Sequence, residues 1–185
     1  FWLSRELLRL LLATVEREGA KWEATGKRPT QEMIYQSSGL GTVQAEAMPR
    51  YALACGLLDE RLRFTALGET VFKQDPLLTT ATTQWLLHYN ISTEHGLGPF
   101  FWSQLVTDLF RVDSEFDHPQ VSQIISRVVA ESERRELKER DARATATIFL
   151  NTYTSPDALG ALGILKALGQ DRYHVFDPVP PSPWV

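Results

Sequence analysis

The residues able to do acid–base or metal chemistry are few and well spread. The histidines are His88, His95, His118 and His174, with no pair four residues apart, and the one cysteine is Cys55. That spacing does not build a zinc site. Asp113, Glu115, Asp117 and His118 form a small acidic cluster, which reads either as oxygen ligands for a divalent cation or as a solvated loop between helices. Glu136-Leu137-Lys138 matches the Glu-x-Lys half of a metal-dependent nuclease core, but that core needs neighbouring strands, and these residues lie in a charged run of helical character. The chain has no glycine-rich phosphate loop and no Gly-x-Ser-x-Gly elbow, which leaves nucleotide hydrolysis and serine chemistry without their usual supports. His88 stands in Trp85-Leu86-Leu87-His88-Tyr89-Asn90, where a helix end is expected. A helix C-terminus favours a protonated imidazole, and a histidine there can also simply bond the last carbonyls. Asp141, Thr152 and Tyr153 flank an otherwise apolar helix and could point into the same interior.

The elements that must carry these groups are mostly helical. Leu3, Leu7, Leu8, Leu11, Leu12 and Val15 recur at helical spacing, and Gly19 is placed to end that first helix. Pro29-Thr30 opens a short second helix, Ser37 to Gly41 makes a turn, and Thr42 starts a third helix in which Pro49 is expected to interrupt or to mark a later start. Helix, short helix, glycine-containing turn and helix is the helix-turn-helix order. Leu62-Arg63-Phe64 then alternates as a short strand, and Leu67-Gly68 closes it as a turn, which together read as the wing of a winged-helix domain. In a DNA-reading version, Thr42, Gln44 and Arg50 on the third helix face the major groove, with Arg61 and Arg63 on the wing and Lys27 and Arg28 before the second helix holding phosphates. A winged helix that makes only protein contacts fits the same pattern, and Glu46 on the presenting face repels phosphate.

Asp75-Pro76 stops the segment that follows the wing, and Thr79 or Thr80 caps the helix carrying Trp85 to Asn90. Downstream, Phe100-Phe101-Trp102 opens an aromatic core helix, and Asp117-His118-Pro119 opens another. The charged run from Glu131 to Arg143 reads as a solvated helix leading into Ala144–Tyr153. Leu159 to Leu168 reads as a short helical segment broken by Gly160 and Gly163, and Tyr173-His174-Val175-Phe176 as a strand before a proline-rich tail from Pro178 to Pro183. The fold class is therefore mainly α: a winged helix-turn-helix over 1–74, then a helical domain over 75–185 with a short β-hairpin or wing near its end.

Composition restricts the partners. Nineteen basic residues against 23 acidic give a formal charge of −4, so any DNA binding must come from a local patch. A lone cysteine in an apolar run gives no disulfide framework and suits a reducing cytoplasm. No apolar run approaches the roughly 20 residues that span a bilayer. The ends, Phe1 without a Met and Pro183-Trp184-Val185, predict a chain that is truncated or joined across gaps.

Several blocks taken together resemble a family. Thr65-x-Leu67-Gly68-x-x-x-Phe72, Asp75-Pro76-x-Leu78 and Trp85-Leu86-Leu87-His88-Tyr89-Asn90 come first, with Arg50-Tyr51 and Gly56-Leu57-Leu58 upstream. Arg140-Asp141, Leu150-x-Thr152-Tyr153 and Leu162-Gly163 follow downstream. The combination is similar to a bacterial domain-of-unknown-function family encoded beside DNA phosphorothioate modification genes, the SspB-like proteins. The resemblance implies a cytoplasmic DNA-binding component of a modification and defence system, one that nicks DNA so that sulfur can enter the backbone, with Mg²⁺ or Mn²⁺ as the implied cofactor. It implies an ATPase and an ATP-dependent sulfur-transfer enzyme as partners. His88, Asp141 and Tyr153 combine the shared blocks with usable chemistry and are the expected catalytic residues. The alternative is a noncatalytic winged-helix adaptor that delivers DNA to the sulfur-transfer enzyme.

Overall fold

Ser4 accepts the amide of Leu7 and opens α1 (Arg5–Ala24), whose buried face is Leu8, Leu11, Leu12, Thr14, Val15 and Trp22. Gly19 does not end this helix. A mid-helix glycine costs about 1 kcal/mol relative to alanine, and burial of Trp22 one turn later offsets it. The computed structural model describes residues 1–178 and 180 of the chain, so the proline-rich tail lies largely outside the described residues.

Thr30 caps α2 (Gln31–Ser38), and Gly39, at φ 73°, turns the chain into α3 (Thr42–Ala54). Pro49 lies inside α3 and does not interrupt it. Proline removes one helical hydrogen bond, but Ala45, Met48, Pro49 and Ala52 all pack inward, and that packing holds the helix through the defect. The expected wing strand is a single antiparallel bridge between Leu58 and Phe64. Asp59 organises the loop: its Oδ1 accepts the amides of Arg61 and Arg63, its Oδ2 meets the Arg63 guanidinium at 2.6 Å, and Leu62 takes a left-handed φ of 60° at the tip. A loop folded around one carboxylate has no extended run to alternate, which is why the strand is absent.

Thr65 caps α4 (Ala66–Gln74). Gly68 is no turn residue. It sits in the first turn of α4, where a Cβ would stand 1.9 Å from the Leu57 carbonyl oxygen, so glycine is there for close approach of backbones. Asp75, 8% exposed, then accepts the amides of Thr79 (3.1 Å) and Thr80 (2.9 Å) and the hydroxyls of both. Thr80 in turn caps α5 (Ala81–Ser92). The other face of the same loop is held by Arg5, whose guanidinium donates to the carbonyls of Leu78 (2.9 Å), Ala158 (2.7 Å) and Pro156 (2.5 Å).

After α6 (Phe100–Leu109) the chain forms β1 (Glu115–Asp117), and Asp117 with Gln120 makes a capping box for α7 (His118–Glu133). The charged run is not one helix. Arg134 takes a left-handed φ of 52° and ends α7, and α8 (Glu139–Thr154) starts five residues later. A 3₁₀ turn at Gly160–Leu162 leads to β2 (Leu165–Gly169) and β3 (Arg172–Val175), so Leu165 and Leu168 belong to a strand. Gly163, at φ 70°, reverses the chain there. The sheet is antiparallel with order β1-β3-β2, and its hairpin lies where the sequence predicts one. The architecture is mainly α, with eight α-helices among the described residues. One buried cluster runs from Leu3 through Tyr153 to Val175, and none of the described helices is long and apolar enough to cross a membrane.

Burial pushes the Asp75 carboxyl up, but the Thr80 and Thr79 amides and the Thr83 and Thr80 hydroxyls outweigh it, and its pKa lies below the usual value. A depressed pKa gives stability that is complete above the unfolded value, near 4, and is lost as pH falls through the folded one. Asp75→Asn should therefore lower Tm at pH 7, by about 1–3 kcal/mol in stability. The gap to the natural chain should close on acidification below about pH 4. Thermal melts of both proteins from pH 7 to 3 check this, and a gap independent of pH would refute the ionic role.

Candidate functional site

Two places bring the predicted residues together. The first is inside the helical half, where α5, α6 and α8 meet. His88 Nδ1 lies 2.9 Å from the Tyr153 hydroxyl, and Trp102 Nε1 donates to that hydroxyl at 2.9 Å. Indole can only donate, so it occupies a lone pair of the phenol oxygen. The phenol proton can then point at Nδ1, an arrangement that needs a neutral His88 ring with its proton on Nε2. The rings of Phe110 and Phe149 close on Tyr153 at 4.8 and 5.1 Å, and Trp85 meets His88 edge-on at 5.4 Å.

The electrostatics agree with a neutral ring. Burial lowers the His88 pKa to about 4, so the ring is neutral at physiological pH. Burial also drives the Tyr153 phenol well above its ordinary range, so the hydroxyl is not ionised. With no exposed surface and both hydrogen-bond directions filled, Tyr153 has the geometry of a pin joining three helices. Asp141 is not gathered with the other two. It lies in the first turn of α8, about three turns and roughly 18 Å along the axis from Tyr153, and pairs with Arg140 at 3.4 Å. Cys55, which closes α3, is fully buried beside this cluster, close enough for its charge to weigh on both Tyr51 and Tyr153, and burial pushes its thiol up to about 12.

The acidic cluster is dispersed among structural tasks. Asp117 caps α7, Glu115 pairs with Arg172, His118 Nε2 meets the Thr147 hydroxyl at 2.9 Å, and Asp113 approaches His174 at 3.8 Å. Among the described residues no three His, Cys, Asp or Glu side chains are placed to share a metal ion. A protein cage of three or more such ligands is therefore not formed among the described residues, whereas Mg²⁺ is commonly held by one or two carboxylates with water and phosphate oxygens.

The second place is a basic corner. Lys27, Arg61 and Arg63 line one small pocket of about 40 Å³ with Trp22, Glu23 and Leu62, where the end of α1 meets the loop around Asp59. Arg28 is the next residue after Lys27. Arg63 is already neutralised by Asp59 and by Glu23 at 3.6 Å. Among the described residues the side chains of Lys27, Arg28 and Arg61 enter no ion pair. Thr42 and Gln44 stand at the start of α3, the first receiving Gln31 Nε2 on its carbonyl and the second capping the Gly41 amide. Arg50 is exposed and pairs with Glu46.

Sequence reasoning missed Trp102 as the partner of Tyr153, because helical periodicity marks it as core and says nothing of its indole N–H. It also missed Arg5 and the polar role of Asp75. For Asp75 a signal existed, since Thr79 and Thr80 follow at the spacing from which their amides reach back.

Comparison with known proteins adds three findings. A family model described as "Protein of unknown function (DUF4007)" matches residues 27–166. No curated protein matches. Among solved structures, a magnesium ion-bound SspB crystal structure superposes with a TM-score of 0.67 at 18% sequence identity, which shows a shared fold. The superposition covers 98% of this chain and 59% of that one, so this chain spans about three fifths of the length of the SspB chain.

Tyr153→Phe should leave the buried Trp102 N–H without an acceptor and lower stability by about 1–3 kcal/mol in denaturant titrations. An unchanged midpoint would remove the pin. Because unfolding lets a ring of pKa about 4 return to about 6.5, stability should decline as pH falls from about 6.5 towards 4. His88→Gln should flatten that slope.

Proposed function

The chain belongs to the DUF4007 family, and on that footing we propose that it is the DNA-binding component of a bacterial DNA phosphorothioate modification and defence system. The observation that carries this reading is the meeting of Lys27 and Arg61, whose side chains enter no ion pair among the described residues, at the corner between α1 and the loop around Asp59, with Arg28 next in sequence. A chain of net charge −4 holds a polyanion only where cations gather without local carboxylate partners. The helix-turn-helix order of α2 and α3 and the loop folded around Asp59 support a winged-helix manner of docking. The fold shared with SspB supports the choice of system. In this reading the protein works in the cytoplasm as an adaptor. It holds duplex DNA by its phosphates and presents it to an ATP-dependent sulfur-transfer enzyme and its ATPase partner.

A second reading, in which the protein nicks one DNA strand, is favoured by the magnesium ion bound to the SspB structure. His88, Asp141 and Tyr153 support it poorly, because Asp141 lies about three helical turns from Tyr153 and the phenol is enclosed, and no step through a metal is derived from the residues present. Purified protein incubated with supercoiled plasmid and Mg²⁺ or Mn²⁺ separates the readings. The adaptor leaves the plasmid closed, while open circles that disappear in His88→Ala or Asp141→Ala would restore those residues as catalytic.

For the adaptor, binding to duplex DNA should weaken with salt, with a slope that Arg61→Ala or Lys27→Ala reduces by about one each. Fluorescence anisotropy across a salt series measures this. Binding indifferent to both substitutions would move the DNA contact away from the basic corner.

A further inference from the structure

The exposed face of α3 carries an arrangement that phosphate holding does not use. Val43, Glu46 and Arg50 follow one another on the side away from Ala45, Met48 and Ala52. Val43 is 64% exposed although it is aliphatic. Glu46 Oε1 holds Arg50 Nη2 at 2.7 Å, with the two side chains 53% and 75% exposed. An exposed pair of this kind contributes little to folding. What it does is restrict the guanidinium: one N–H is taken by the carboxylate, and the rest of the planar fork has no protein partner among the described residues.

That pair is a poor phosphate clamp, because the carboxylate cancels the charge that would attract phosphate and repels it at close range. It is well suited to a base edge, where a planar fork meets two acceptors side by side and no net charge is required. Guanine alone presents such acceptors, N7 and O6, in the major groove. Gln44, the amide-bearing candidate on this helix, is withdrawn, since its side-chain oxygen caps the Gly41 amide. Val43 stands two turns before Arg50, and its methyl groups match the one apolar feature of the groove, the thymine methyl.

We infer that Arg50, oriented by Glu46, is the specificity-determining residue of α3 and reads a guanine in the major groove of duplex DNA, with Val43 against a nearby thymine methyl. This rests on the DNA-binding reading above. Lys27, Arg28 and Arg61 hold the phosphates of that duplex, and Glu46 is a positioning residue that touches no base.

The test uses the full chain and a randomised duplex library, followed by competition binding of matched and mismatched duplexes. The natural chain should select guanine at one position. Arg50→Ala should shrink the matched-to-mismatched ratio at that position by about fivefold to a hundredfold, with an unchanged circular dichroism spectrum. Glu46→Gln, which keeps an acceptor for the arginine, should retain most of the preference, and Glu46→Ala should lose more of it. Arg61→Ala should weaken all duplexes alike. Sequence-independent binding by the natural chain, or a preference that survives Arg50→Ala, overturns the inference and leaves phosphate holding intact. No binding to any duplex overturns the DNA-binding reading itself.

Discussion

The fold hangs on a loop gripped from both sides. Residues 75–80 must reverse the chain between α4 and α5 while placing Leu78, fully buried at a left-handed φ of 56°, in the core. A branched side chain in that backbone region is unfavourable by itself. The Asp75 carboxylate collects the amides and hydroxyls on one side of the loop, and the Arg5 guanidinium takes the Leu78 carbonyl on the other. Because Arg5 also holds the carbonyls of Pro156 and Ala158, the start of α1, the entry to α5 and the exit of α8 are tied at a single cation. Everything that depends on the angle of α5, including where His88 stands, depends on that knot.

The aromatic unit behind it works by a different logic. Trp102, Tyr153 and His88 satisfy one another through a chain of donors and acceptors within a shell of rings, so α5, α6 and α8 are registered by directional bonds as well as by packing. Such a network is strong when complete and damaging when one member is removed. Tyr153, Trp102 and His88 are thus engaged with one another in this half of the molecule, while Lys27 and Arg61 at the basic corner and the Glu46–Arg50 pair on α3 face solvent.

Local chemistry was legible in the sequence wherever a cap decides the matter. Thr30, Thr80 and Asp117 start helices by bonding the amide three residues on, and no distant residue is needed to read them. Helix ends and breaks were misread at Gly19, Pro49 and the Leu165–Leu168 segment, where packing against distant residues overrides propensity. Lys27 and Arg61 read as basic residues on separate segments, and their meeting in one pocket depends on where α1 ends against a carboxylate-centred loop that was expected to be a strand. Asp141 could have been separated from Tyr153 on paper, because twelve residues of helix put them about three turns and roughly 120° apart. The indole bond of Trp102 could not, since periodicity reports which face is buried and nothing about which polar atoms meet there.

The burial of Cys55 gives the molecule a reporter of its own opening. The thiol is fully buried where α3 ends against the aromatic unit, and its pKa near 12 leaves almost none of it as the reactive thiolate at neutral pH. An alkylating reagent can therefore reach it only during those moments when the seam between the first three helices and the rest of the core comes apart. The rate at which this single sulfur is consumed is a clock for that seam, ticking without any introduced label.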